Sequence, residues 1–179
     1  MRDSHDSKDK ELQLKAYIAG VGMTPFGNHI QRSLKSLSAE PILAAMADAV
    51  VRNNDINAAY HANVAAGTMV GQMCIPGQVA LREIGLGGIP VVNVKNACAS
   101  ASTAFQQACT MVTLGVYDVV LVCGYEKLYH EDKNKTFSVF TRSIDVTQTD
   151  AITARLKARN EAIGQSLDMS GAGSSRSIF

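Results

Sequence analysis

The sequence predicts an α/β fold, with a parallel or mixed sheet covered by helices on both faces. Three observations lead there. "IPVVNV" and "DVVLVCG" (residues 118–124) are continuous apolar runs, as strands buried on both faces require. Segments of helical length closed by glycine alternate with them. The 179 residues are 46% hydrophobic, enough for one core or for a piece of a larger protein.

The elements follow in order. Residues 1–15 are polar and mixed in charge, with no hydrophobic stretch of the kind a secretory signal needs, and read as a disordered lead-in. "KAYIAGVGMTPFG" predicts a short buried strand over 16–21, ended by Gly22 and broken by Pro25 and Gly27. "SLSAEPILAAMADAVVRN" predicts a helix capped by Ser38, with Glu40 at its positive end and Pro41 in its first turn. Ile42, Met46 and Val50 give its buried face. "AAYHANVAAGTM" reads as a second strand, and "GQVALREIGL" as a short helix stopped at Gly85 or Gly87. After the strand "IPVVNV", residues 99–114 predict a helix ending at Gly115, and 118–124 the next strand. Beyond Gly124 the pattern turns polar and weakly periodic. "AITARLKARNEAIGQSL" reads as one further helix and "DMSGAGSSRSIF" as a Gly/Ser-rich end.

A net charge of +1 offers no basic stripe for nucleic acid and no polybasic patch for a membrane surface. No apolar run approaches the ~20 residues a transmembrane helix needs. The four cysteines, Cys74, Cys98, Cys109 and Cys123, form no C-x-x-C pair, which argues against a zinc or redox motif, and no metal is expected. Free thiols in a reducing, cytoplasmic compartment are expected, or a peroxisomal one in a eukaryote. Cys98 and Cys109, on one helix, stand roughly 16 Å apart at about 1.5 Å per residue, too far for a disulfide.

Cys98 holds the position with chemical potential. It falls where the strand ending near Lys95 gives way to a helix, so free N–H groups and the positive dipole end favour an anion. The small residues Ser100, Ala101, Ser102 and Ala104 keep the first turn narrow enough for a substrate. A sharp strand-to-helix turn presents the nucleophile in hydrolases by the same logic. The competing reading is a small buried side chain, the usual fate of free cysteine. Cys109 and Cys123 read as core, and Cys74 as a loop residue on the substrate side with a packing role. His61 is expected to be a hydrogen-bonded strand histidine and His130 to be solvated. Met69, Met73 and Met111 are expected to pack, and 131–135 ("EDKNK") to be a solvated loop. Lys127 is expected in an ion pair with Glu126 or a neighbour, and Asn96 to brace its turn through the backbone.

Residues 77–128, "GQVALREIGLGGIPVVNVKNACASASTAFQQACTMVTLGVYDVVLVCGYEKL", resemble the first half of a thiolase of the sterol-carrier-protein-x or lipid-transfer type. The strand and turn leading to Cys98, the small-residue helix and "GYEKL" carry the resemblance. "YIAGVGMTPFG" adds to it, and "SRSIF" matches a loop domain more weakly. The resemblance implies a thiolase-like layered fold. Residues 16–124 would form the first α/β half, and 125–179 part of the inserted loop domain. It implies that Cys98 is acylated by acyl-CoA, its own N–H serving as an oxyanion donor, in 3-ketoacyl-CoA thiolysis or Claisen condensation. Coenzyme A would be a substrate, with no covalently bound cofactor. It also implies a homodimer or thiolase-like oligomer paired through the strand carrying 91–94. The family's Asn–His pair, Gly-His-Pro histidine and second cysteine have no counterpart in this sequence. A separate C-terminal half could supply them. Two other readings stay open: a catalytically silent thiolase-like partner or lipid-binding protein, and a β-ketoacyl synthase-like condensing enzyme.

Overall fold

The computed structural model describes residues 15–164. Its sheet has three parallel strands in the order β2-β1-β3: β1 Ala58–Ala62, β2 Val91–Val94 and β3 Val120–Gly124. Every residue of β1 is buried, because it lies between two strands and under helices on both faces. That is why "AAYHA" shows no polar alternation.

Helices α1 (Leu34–Asp48) and α3 (Pro76–Glu83) cover one face. Ile42, Met46 and Leu81 pack there on Ala59 and Leu121. Helix α4 (Ser100–Thr113) covers the other, where Ala104 and Ala108 meet Tyr60, Ala62 and Val94. Alanine on α4 lets the helix sit close to the sheet. Gly115, at φ 69°, ends this helix in the left-handed conformation. Three more helices follow the chain: α2 (Ala66–Val70), α5 (Lys133–Thr141) and α6 (Thr149–Ala162). A small cluster of Ala65, Met69 and Val139 joins α2 to α5. No helix among the described residues is long and apolar enough to cross a membrane.

Several expectations are corrected. Helix α1 starts earlier than Ser38, because Ser33 accepts the Ser36 N–H and caps it. Ser38 is instead buried inside the helix and donates to Lys35 O, and Pro41 lies mid-helix. Val50 is not on the buried face: it sits past the helix end at φ 56° and is exposed. "AAYHANVAAGTM" is not one strand. The sheet stops at Ala62 and α2 begins four residues later, because side chains claim the intervening amides. Residues 16–21 form no strand and are exposed or half-buried rather than buried, and α5 occupies a stretch expected to be irregular. The Gly/Ser-rich end, 168–179, lies outside the described residues.

Candidate active site

All three parallel strands send their carboxyl ends to one rim, where open α/β sheets bind ligands. Three loops meet there. The Lys95 ammonium donates to Met73 O at 3.2 Å, drawing the Cys74 loop to the end of β2. Asn63 donates to Tyr125 O at 2.7 Å, tying the ends of β1 and β3.

Cys98 lies on this rim and is exposed. Helix α4 begins two residues later, with Ala99 as an N-cap that makes no side-chain bond. The turn into it is sharp: Ala97 has φ 44°, left-handed backbone that a residue with a Cβ adopts only under restraint. Ser100 supplies the restraint. Its buried hydroxyl accepts the Asn96 N–H at 2.7 Å and donates to Ala97 O at 2.8 Å. Asn96 adds a bond to Thr103 Oγ1 at 2.9 Å, a side-chain partner rather than the backbone one expected. The thiol is thus held outside the core by a braced, strained turn.

The other cysteines differ. Cys123 is half-buried at the edge of the core, and burial pushes its thiol up to about 12, which disfavours the reactive thiolate. Cys109 is half-buried along α4, and Cys74 is exposed in its loop.

His61 departs from expectation. It is fully buried and both ring nitrogens lack a hydrogen-bond partner. Its nearest aromatic contact is the edge of Tyr125, at 4.9 Å between centroids. Burial lowers the imidazole to about 4, so it is neutral near pH 7. His29 is bonded to Pro25 O, and His130 Nδ1 accepts the Asp132 N–H. Among the described residues, no histidine is hydrogen-bonded to Cys98.

Glu126 and Lys127 form no ion pair with each other. The Glu126 carboxylate accepts the N–H groups of Val64 and Ala65, the latter at 3.1 Å. Burial raises its pKa, opposed by those two amides and by Lys95. Lys127 donates to Ile30 O at 2.7 Å and Arg32 O at 2.5 Å, fastening the chain ahead of α1. The bracing roles of Asn63, Ser100 and Glu126 escape sequence reasoning. Only Asn63 had a local signal, as an Asn three residues before the Ala66 amide it caps.

The fold is thus a parallel α/β layer that presents an exposed thiol on a strained strand-to-helix turn at its rim. Residues 16–165 match the thiolase N-terminal domain, and the chain belongs to the thiolase family. An acetyl-CoA acetyltransferase of Methanocaldococcus jannaschii is 42% identical over 111 residues, 62% of this chain and 28% of that protein. Sterol carrier protein 2 of Gallus gallus is 32% identical over 136 residues, 75% of this chain and 24% of that protein. The chain thus spans about a quarter of the length of these curated relatives. The solved structure of an Ltp2–ChsH2(DUF35) aldolase superposes with a TM-score of 0.50 at 21% identity, covering 80% of this chain and 38% of that one, a likeness of fold alone.

Proposed function

We propose that Cys98 is the acyl-accepting nucleophile of a thiolase-type acyltransferase that uses acyl-CoA. The observation that carries this reading is the exposed thiol at the strained, Ser100-braced turn in a thiolase N-terminal domain. The thiolate attacks the acyl carbonyl carbon. A new S–C bond forms, the bond from that carbon to its leaving group breaks, and the leaving group takes a proton. With an acyl-CoA donor the leaving group is the CoA thiolate. With a 3-ketoacyl-CoA attacked at its 3-keto carbon, it is the enolate carbanion of acetyl-CoA, and the shortened acyl group stays on the sulfur. The amide of Cys98 would serve as a donor to the developing oxyanion.

Turnover demands more than acylation. The incoming CoA thiol has to be deprotonated before it attacks the acyl-enzyme, and that needs a positioned base. With no histidine among the described residues bonded to Cys98, the chain is expected to accept one acyl group and stop. A lipid-derived or sterol-derived acyl group is the substrate class in keeping with the similarity to sterol carrier protein 2.

The test is to mix the chain with acetoacetyl-CoA and free CoA and follow both the Cys98 peptide by mass and loss of the enolate absorbance. Stoichiometric acetylation at Cys98 without turnover is expected. Absence of the adduct on a folded chain would overturn the nucleophile assignment, and repeated turnover would overturn the single-acylation reading.

We also propose self-association through β2, an edge strand whose Val92 is exposed.

A further inference from the structure

Among the described residues, His61 alone has buried side-chain nitrogen atoms with no hydrogen-bond partner. It stands in the middle of a row across the sheet, opposite Asn93 of β2 and Cys123 of β3. The start of α3 closes over it. A Cβ at Gly77 would stand 2.7 Å from His61 Cβ and 2.8 Å from Asn93 Oδ1, so only glycine lets the helix come this close. The Tyr125 ring meets the imidazole edge-on.

Little holds this cover down. Ile75, the N-cap of α3, makes no side-chain bond, and Pro76 has no N–H to give. Asn93 does the fastening: its Oδ1 accepts Gly77 N–H at 2.7 Å, and its Nδ2 donates to Gln78 Oε1 at 2.7 Å. The loop ahead of α3 is tied at Met73 O by Lys95, which precedes Cys98 by three residues.

We infer that residues 71–78 form an acid-released lid: protonation of His61 lifts the start of α3 and the loop ahead of it while the sheet and α4 stay folded. A protonated imidazole carries a charge and two donors, and neither nitrogen has an acceptor in reach. β2 faces it with Asn93, whose amide is already used, and ends in Lys95, a like charge. The start of α3 offers Pro76, Gly77 and Gln78, and its charged residues, Arg82 and Glu83, come at the far end. The buried face of α1, with Leu37, Ser38, Ile42 and Met46, carries no charge. β3 brings Cys123 and, just past its end, Tyr125. Burial raises both to about 12, so neither becomes an anion in acid. Glu126 already accepts the amides of Val64 and Ala65 and, raised by burial, is itself neutralised as pH falls. Burial holds the imidazole at about 4 against an ordinary 6.5, so it takes up a proton most readily by losing its cover. The closed lid is thus fully favoured above about pH 6.5 and loses ground as pH drops toward 4. Lifting α3 breaks the Asn93 bonds and leaves both ladders of β1 in place, which makes it a smaller event than unfolding. The inference does not depend on Cys98 being a nucleophile.

The test is peptide-resolved hydrogen exchange of the full chain at pH 7 and pH 5, corrected for the intrinsic pH dependence of amide exchange. Residues 76–84 should lose protection roughly tenfold or more on acidification. At pH 5, adding about 1 M urea should barely change them yet speed exchange in 100–113, because a lifted lid exposes little surface and unfolding exposes much. Equal urea dependence in the two segments would mean that the whole chain opens at once and would overturn the lid. His61→Leu should abolish the acid response of 76–84, and His61→Gln serves the same purpose if the leucine variant does not fold. A response that persists without the imidazole overturns the proposal. Glu126→Gln should keep the response, and its loss there would assign the trigger to that carboxylate instead.

Discussion

Two strand-to-helix junctions sit side by side on the same rim and solve the same problem in opposite ways. Where β1 runs into α2, the amides are claimed: Glu126 takes Val64 and Ala65, and Asn63 Oδ1 takes Ala66 at 2.9 Å. Asn63, Ala65 and Ala66 are buried. Where β2 runs into α4, the N-cap makes no side-chain bond, the residue before the thiol is strained, and 95–99 are exposed. A helix start normally fills its free donors from within the protein. The first junction does so and is structural. The second is braced from below by Ser100 and left open above.

The sharpest break between the two comes from Cys98→Ala. It should abolish acylation by an acyl-CoA while leaving the far-UV circular dichroism and the thermal midpoint unchanged, since the side chain is exposed. Limiting iodoacetamide near neutral pH should label Cys98 well ahead of Cys123, whose thiol burial holds at about 12. Equal labelling of Cys123 in the native chain would contradict this geometry.

The strand feeding the closed junction carries its own liability in His61. Its imidazole is held at about 4, below the ordinary 6.5, so the unfolded chain binds the proton more readily. Stability is therefore full above about pH 6.5 and falls as pH drops toward 4, by roughly 3 kcal/mol at about 1.4 kcal/mol per unit. Tyr125, Cys123 and Glu126 lie around this ring or on the strand end beside it, and each is raised chiefly by burial. The expected signature is a difference. Urea unfolding of His61→Leu at pH 7 and pH 4 should lack about that much of the parent's acid sensitivity. Identical pH profiles would show that the buried ring does not drive it.

Glu126→Ala tests the closed junction itself. It strips the acceptor from two amides, and a loss of roughly 1–3 kcal/mol in urea unfolding is expected. Acylation of Cys98 by a saturating acyl-CoA should survive, because the two junctions are separately braced. Loss of acylation in a fully folded variant would show that they act as one unit.

The sequence revealed the open junction far better than the closed one, for a physical reason. Apolar runs such as "VVNV" and "VLVCG" and glycine stops are local signals, and the strands ending near Val94 and Gly124 and the helix over 99–114 were legible from them. Cys98 was legible for the same reason, since one short stretch holds strand, turn and helix. Glu126 capping Val64 and Ala65 spans more than sixty residues of separation, and no local pattern announces it. Without that cap, "HANVAAGTM" reads as more strand. Residues 16–21 failed in the opposite sense. They form no strand and are mostly exposed, since a ladder needs a neighbour and beside them lies a groove. The unbonded His61 was illegible because burial and partners are tertiary facts.

The smallest expected change in stability, and the one that reaches furthest beyond the single chain, concerns the strand behind the open junction. β1 is covered on both edges, but β2 pairs only on one. Asn63 N–H donates to Val94 O and Ala59 N–H to Pro90 O, so Val92 turns its backbone groups toward β1 and Val91 and Asn93 turn theirs outward. Val92→Lys therefore leaves the internal ladder intact. With the side chain 39% exposed, it should alter unfolding free energy by about 0.5 kcal/mol or less. A lysine on a strand edge is nevertheless an effective block to edge pairing, because association would bury its charge against its twin across a two-fold axis. Sedimentation velocity should show the parent self-associating and Val92→Lys shifted toward monomer, with Cys98 acylation retained if the thiol belongs to its own chain's site. An unchanged dimer would move the interface elsewhere. A monomeric variant that also loses acylation would show that the open junction is completed by the second copy.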